Sequence, residues 1–226
     1  AKKGDNEVLL EKTKLDDFDS VDISMTDMNL QVVPSDDRSC YISYQASDQT
    51  KDPMRYQVKD GKLTIRENDN TGKFYYHVDI GFLSGLLGGG PVTTDENVVT
   101  LYIPEEQEWK TADIKTDMSN IMLNGCKIEN GTVQSNSGDI YFKNCDFDNL
   151  KIDSDMGDIH FVGTEDVMGA WNIQIDTDMG DIDVDDALGG KVKEDEDDCD
   201  LSYTQKGKGG NLVIQTDSGD VSLDCR

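Results

Sequence analysis

A six-residue phrase recurs five times in this chain, and no other feature limits its fold as tightly. The copies are Thr116–Ile121, Ser135–Ile140, Ser154–Ile159, Thr177–Ile182 and Thr216–Val221. They read Ser/Thr, Asp/Asn, a variable residue, Gly, Asp/Asn and Ile/Val, with Ser119 replacing the glycine in the first copy. Met25–Leu30 is a sixth, degenerate copy. Counted between Asn120, Asp139, Asp158, Asp181 and Asp220, the offsets are 19, 19, 23 and 39 residues, the last close to two periods.

The flanks alternate apolar and polar residues, the period of a half-buried strand. Before the phrase stand Val21/Ile23, Ala112/Ile114, Gly131/Val133, Leu150/Ile152, Ile173/Ile175 and Leu212/Ile214. After it stand Leu30/Val32, Ile121/Leu123, Ile140/Phe142, Ile159/Phe161, Ile182/Val184 and Val221/Leu223. Each unit is strand, polar corner, strand. Gly138, Gly157, Gly180 and Gly219 allow the corner a positive φ, and the neighbouring Ser/Thr and Asp/Asn can bond its exposed amides. A unit this short cannot bury its apolar stripe alone, so units must stack. Stacked in register, their Ile columns become ladders about 4.8 Å apart. The reading is an all-β chain, a parallel β-solenoid. The alternative is an antiparallel β-sandwich with the phrases as hairpin turns.

Residues 36–110 lack the repeat but still read as β. Tyr41–Tyr44, Tyr56–Lys59, Leu63–Ile65 and Val98–Ile103 are strand-like, with a type I′ hairpin expected at Asp60-Gly61 and a stop at Pro104. Phe82–Pro91 is a Gly-rich apolar loop, expected to fold back over the end of the stack or to meet a partner. The expected organisation is one β-repeat domain over 1–226. It comprises an N-terminal segment 1–20, a first coil with hairpin and loop over 21–110, and repeat coils over 111–226 carrying an acidic insertion at 185–211.

The strand Leu101-Tyr102-Ile103-Pro104 leading into serial Ser/Thr-x-x-Gly-Asp-Ile phrases resembles the bacterial adhesin-like family called domain of unknown function 4097, over about Val21 to Leu223. The resemblance implies a right-handed, β-helix-like fold and a domain in the bacterial envelope, outside the membrane behind an anchor absent from this chain. It implies no catalytic residue.

Composition narrows the partners. With 21 Lys and Arg against 47 Asp and Glu, the formal charge is −26, which disfavours nucleic acid and anionic membrane. No stretch reaches the roughly 18 apolar residues of a membrane span. The cysteines Cys40, Cys126, Cys145, Cys199 and Cys225 are odd in number and form no C-x-x-C pair. Cys126 and Cys145 occupy equivalent places in successive units, where stacking makes them either a disulfide or a buried ladder of reduced thiols.

Stacking also gathers acids. Asp139, Asp158, Asp181 and Asp220 form one corner column, and Asp155, Asp178 and Asp217 another. Carboxylates about 5 Å apart repel and recruit a cation, for which Ca2+ is the hard-ligand candidate, or spend their oxygens on corner amides. The run Glu194–Asp200 lacks the Gly and Glu of an EF-hand loop and reads as a solvated loop inserted into one coil. His77 and His160 belong to no nucleophile motif, and Ser137 and Ser218 lack the strand-elbow-helix setting of a catalytic serine. The expected function is a non-enzymatic surface or envelope module, a monomer, binding a protein or polysaccharide. Two alternatives are a calcium-dependent polymer-binding domain and a polysaccharide-acting enzyme using acids beside an exposed Tyr141 or Trp171.

Overall fold

Two strands flanking a sharp corner cannot pair with each other, so each must find its partners in equivalent strands of other units. The computed structural model of the chain describes residues 7–46, 53–68, 97–194 and 200–226. His77, the Phe82–Pro91 loop, Cys199 and most of the Glu194–Asp200 run lie outside those residues. The repeat units supply β2 (Ser20–Met25) with β3 (Asn29–Pro34), β8 (Glu108–Thr116) with β9 (Ile121–Asn124), β10 (Lys127–Ser137) with β11 (Ile140–Lys143), and β12 (Asp146–Met156) with β13 (Ile159–Gly163). They continue with β14 (Asn172–Met179) and β15 (Ile182–Val184), then β18 (Asn211–Ser218) and β19 (Val221–Cys225). The remaining strands are β1 (Glu7–Lys14), β4 (Tyr41–Ala46), β5 (Met54–Lys59), β6 (Lys62–Glu67), β7 (Val98–Ile103), β16 (Lys191–Glu194) and β17 (Leu201–Gln205).

The fold is all-β, with two large, mostly parallel sheets. One runs β1-β4-β7-β3-β9-β11-β13-β19-β15, the other β16-β17-β14-β18-β12-β10-β8-β2-β6-β5. The first strand of every unit lies in the second sheet and the second strand in the first, so the phrases are corners between sheets and not the hairpin turns of an antiparallel sandwich. Pairing is parallel and in register: Ile121, Ile140, Ile159, Val221 and Ile182 align, as do Ile114, Val133, Ile152, Ile214 and Ile175. These columns are the core, and Leu30, Ile114, Ile121, Ile140, Ile152, Ile159, Ile214 and Val221 are fully buried. Each such side chain contributes about 1.5–3 kcal/mol over exposure. Phe142 and Phe161 stack with ring centroids 4.7 Å apart and planes 1° from parallel, as in-register identical side chains must.

The order of units departs from the chain order. The last unit, β18–β19, inserts between β12–β13 and β14–β15, and the first, β2–β3, lies between β6–β7 and β8–β9. The segment behind the 39-residue offset joins the last two units in the chain. Its described flanks form the hairpin β16–β17, and β17 pairs antiparallel with β14 at the end of the second sheet. The 23-residue offset has four residues beyond the period, and a short helix, α1 (Glu165–Met168), has four residues. At the other end, β5 and β6 form the expected hairpin, with φ of 51° at Asp60 and 76° at Gly61, and β1 pairs with β4.

Glycine's role in the corner is only partly as expected. Gly138 and Gly157 take φ of 142° and 117°, whereas Gly180 and Gly219 do not take positive φ. What all four share is close stacking. A Cβ on Gly138, Gly157, Gly219 or Gly180 would lie 2.3, 2.4, 2.1 or 2.1 Å from the carbonyl oxygen of the corner beneath. Ser119 occupies the first rung of this column, fully buried, and its hydroxyl has no hydrogen-bond partner among the described residues.

Candidate functional site

Each position of the phrase has its own task. The leading Thr116, Ser135, Ser154, Thr177 and Thr216 point inward and are buried. The fifth residue builds a ladder. Asn29 Oδ1 accepts from the Asn120 amide at 2.9 Å, Asn120 Oδ1 from Asp139 at 2.9 Å, and Asp139 Oδ1 from Asp158 at 3.0 Å. Asp158 Oδ1 then accepts from Asp220 at 2.9 Å and Asp220 Oδ1 from Asp181 at 2.8 Å. The seven acids expected as a calcium row are thus brought together as two columns. Asp139, Asp158 and Asp220 each turn one oxygen to the next amide, Asp181 ends the ladder, and Asp155, Asp178 and Asp217 face solvent. Among the described residues no three His, Cys, Asp or Glu side chains are grouped to hold a metal ion.

At the degenerate corner the ladder's last amide, that of Asn29, donates to the Asn97 carbonyl oxygen at 2.9 Å, and the amides before it are capped by a residue that sequence reading missed. Glu67 Oε2 accepts from the amides of Thr26, Asp27 and Met28 at 2.6, 2.9 and 3.1 Å. Glu67 lies some 40 residues away in the chain, and only the parallel pairing of β6 with β2 brings it there. Burial, then the charges of Glu67 and Asp117, raises the Asp27 carboxyl.

Aromatic and nucleophilic candidates fall elsewhere than an enzyme needs. Tyr141 and Trp171, expected to be exposed, are buried. Trp171 sits 4.3 Å from the Phe147 ring with its Nε1 donating to Asp146 Oδ1 at 3.2 Å, and Tyr141 packs with Met122 and Val162. His160 Nδ1 lies 2.6 Å from Ser222 Oγ on neighbouring strands, without a carboxylate on its second nitrogen among the described residues. Ser137 and Ser218 bond no histidine there. Cys126 and Cys145 are buried free thiols, the Cys126 amide donating to Cys145 Sγ at 3.4 Å. They follow Gly125 and Asn144, equivalent residues that turn the chain with φ of 73° and 50°. The hydrogen bond to Cys145, then burial, holds the Cys126 thiol well above its ordinary range.

The second sheet's outer surface carries polar side chains in register. Asn149 Nδ2 donates to Asn130 Oδ1 at 3.1 Å, Asn211 Nδ2 to Asn149 Oδ1 at 2.9 Å, and Asn172 Nδ2 to Asn211 Oδ1 at 3.3 Å. At the β5–β6 end the surface turns cationic. Arg55 faces Arg66 and Lys59 faces Lys62 across the hairpin. From β2, Asp22 takes Arg66 at 2.7 Å and Lys62 at 3.1 Å; burial would raise its carboxyl, but these two bonds hold it below the usual range.

One solved structure agrees with this architecture. A structure described as a "putative cell adhesion protein" from Clostridium sporogenes aligns with a TM-score of 0.59 at 12% identity, covering 98% of this chain and 99% of that one. A "putative adhesin" from Bacteroides fragilis aligns with a TM-score of 0.40 at 12% identity over 96% of each chain. A search of curated proteins returns no match. Among the described residues no helix is long and apolar enough to cross a membrane. The profile of the Toastrack family, DUF4097, matches residues 18–226, and the chain belongs to that family.

Proposed function

We propose that this chain is a non-enzymatic, adhesin-like module of the bacterial cell surface, a β-solenoid held outside the membrane that binds an extended polymer along its outer face. The observation that carries the reading is the asparagine ladder. Identical amides repeat at the strand spacing of about 4.8 Å along a flat face. A linear partner can meet such a face at several equivalent points, each weak, and gain avidity from their number. Family membership and the Clostridium structure's description support a surface role. The dispersal of histidine, serine and acids supports a role without catalysis, since an active site needs these groups to converge.

The test is a binding screen of the whole chain against linear surface polysaccharides, with reducing-end release measured alongside. Retention of at least one polymer without cleavage is expected, and the exposed substitution Asn149→Trp should abolish it while leaving the melting temperature within a few degrees. Turnover of any polymer, or binding indifferent to Asn149→Trp, would refute the reading.

A further inference from the structure

We infer that the β5–β6 hairpin is the anion-recognising end of this polymer-binding face and takes a linear polysaccharide bearing carboxylates, an inference that rests on the proposed polymer-binding role. An open groove of about 960 Å3 runs along the hairpin, lined by Arg55, Lys59, Lys62 and Arg66 together with Tyr56 and Gln57. Asp60 also lines it, and Asp22 faces Lys62 and Arg66 from β2. Four cations against two acids leave the groove at about +2 in a chain of formal charge −26.

Folding does not require this arrangement. Like charges directly opposite in an antiparallel pair repel, and the hairpin has two such pairs, Arg55 with Arg66 and Lys59 with Lys62. Asp22 compensates the β6 cations only. Among the described residues Arg55 and Lys59 have no ion-pair partner, and both are exposed. Charges on an edge strand also deter aggregation, but that purpose needs no second row on β6. The edge strand β16 carries Lys191 and Lys193, and its neighbour β17 places Thr204 and Ser202 opposite them.

Geometry selects the ligand class. The two cation pairs are four residues apart along the strands, about 14 Å at 3.4 Å per residue. That separation is too long for one small anion and suits charges repeated along a chain. Arginine's planar fork matches a carboxylate. A thin polymer touches the groove alone. An anionic bilayer would also meet the acids over the rest of the molecule, and strand addition at β5 would have to pass its arginine and lysine.

The experiment measures binding of the whole chain to polygalacturonate at low and high salt, beside neutral dextran and phosphatidylglycerol vesicles. It compares Arg55→Glu/Lys59→Glu with Lys191→Glu/Lys193→Glu, which changes net charge equally at the other end of the sheet. Expected is salt-sensitive binding to polygalacturonate, weakened roughly tenfold or more by the first pair and unchanged by the second, with both variants melting like the parent. Equal weakening by both pairs, vesicle binding without polymer binding, or self-association abolished by Arg55→Glu/Lys59→Glu would overturn the inference. Binding of dextran but not polygalacturonate would overturn it and leave the polymer-binding role standing. Failure to bind any polymer in the wider screen would overturn both.

Discussion

Replacing Gly157 by alanine tests whether the corner glycine answers to stacking or only to local conformation. The new Cβ would lie 2.4 Å from the Gly138 carbonyl oxygen and 2.7 Å from its carbon, both backbone atoms with no rotamer to change. Restoring an ordinary 3.4 Å contact requires the two corners to part by 3.4 − 2.4 = 1.0 Å. The Asp158 amide to Asp139 Oδ1 bond, 3.0 Å long, and the Gly138 amide to Met156 carbonyl bond, 3.2 Å long, both cross that gap. Parting the corners takes both out of hydrogen-bond range, at about 1 kcal/mol each. The φ of 117° adds about 1–2 kcal/mol for an L-residue. Some relief through partial relaxation leaves about 2–4 kcal/mol in all. For a chain of this length each kcal/mol moves the melting temperature by roughly 2–4 °C, so Gly157→Ala should melt about 4–16 °C below the parent. Gly189 is the control: its Cβ meets nothing within 4 Å, and Gly189→Ala should stay within about 0.5 kcal/mol. Urea titration and thermal melts of both variants provide the measurement. A Gly157→Ala protein as stable as Gly189→Ala would refute the stacking argument.

Other parts of the corner make separate predictions. Glu67→Ala leaves three amides without their acceptor and should cost about 2–4 kcal/mol by urea titration; Glu67→Gln, which keeps an oxygen there, should recover at least half. Because the folded state raises the Asp27 carboxyl, its ionisation weakens the fold as pH climbs through the folded value. Asp27→Asn should therefore be slightly more stable than the parent at pH 7, by less than about 1 kcal/mol for a partly solvated group, and the advantage should vanish below the unfolded carboxyl's 3.8. Millimolar calcium at low ionic strength should move the melting temperature by no more than about a degree, since ladder amides hold one oxygen each of Asp139, Asp158 and Asp220 and no three acids among the described residues are grouped to hold an ion; a larger rise would restore the calcium row. Cys126 and Cys145 should resist a thiol reagent in the native protein and react on unfolding without reductant; failure of two thiols to appear would reveal a disulfide.

The apolar columns were legible because alternation survives in every copy, and period-2 burial leaves no second way to place Ile121/Leu123 or Ile152. The Asp60-Gly61 turn was legible for a similar reason, since both residues must take positive φ. The candidate site was less so. Glu67 sits on a strand without the repeat, and nothing local marks it as the acceptor for Thr26, Asp27 and Met28. Arg55 and Lys59 look like ordinary surface cations until β6 pairs antiparallel with β5 and sets Arg66 and Lys62 opposite them. Trp171 was misplaced because the α1 insertion before it hides its register, and its ring turns in against Phe147.

The order of units was illegible for a deeper reason. A repeat that makes every corner fit every other removes the information about which corner is next. Ile columns, glycine contacts and Asx bonds are the same whether β18 sits beyond β14 or between β14 and β12. The choice falls to parts outside the repeat. The hairpin β16–β17 pairs antiparallel with β14 through β17, so the parallel neighbour of β14 must come from its other edge, and the returning chain enters there as β18. At the opposite end β6 and β7 pair with β2 and β3, fixing the first unit inside the stack. Both arrangements place a repeat unit from near one end of the chain between two other strand pairs, where each of its strands is paired on both edges, and in the second sheet they leave both ends to irregular hairpins. The −26 charge follows the same division: acids crowd the corners that repeat, and the cations that could recognise an anion gather on the hairpin that does not.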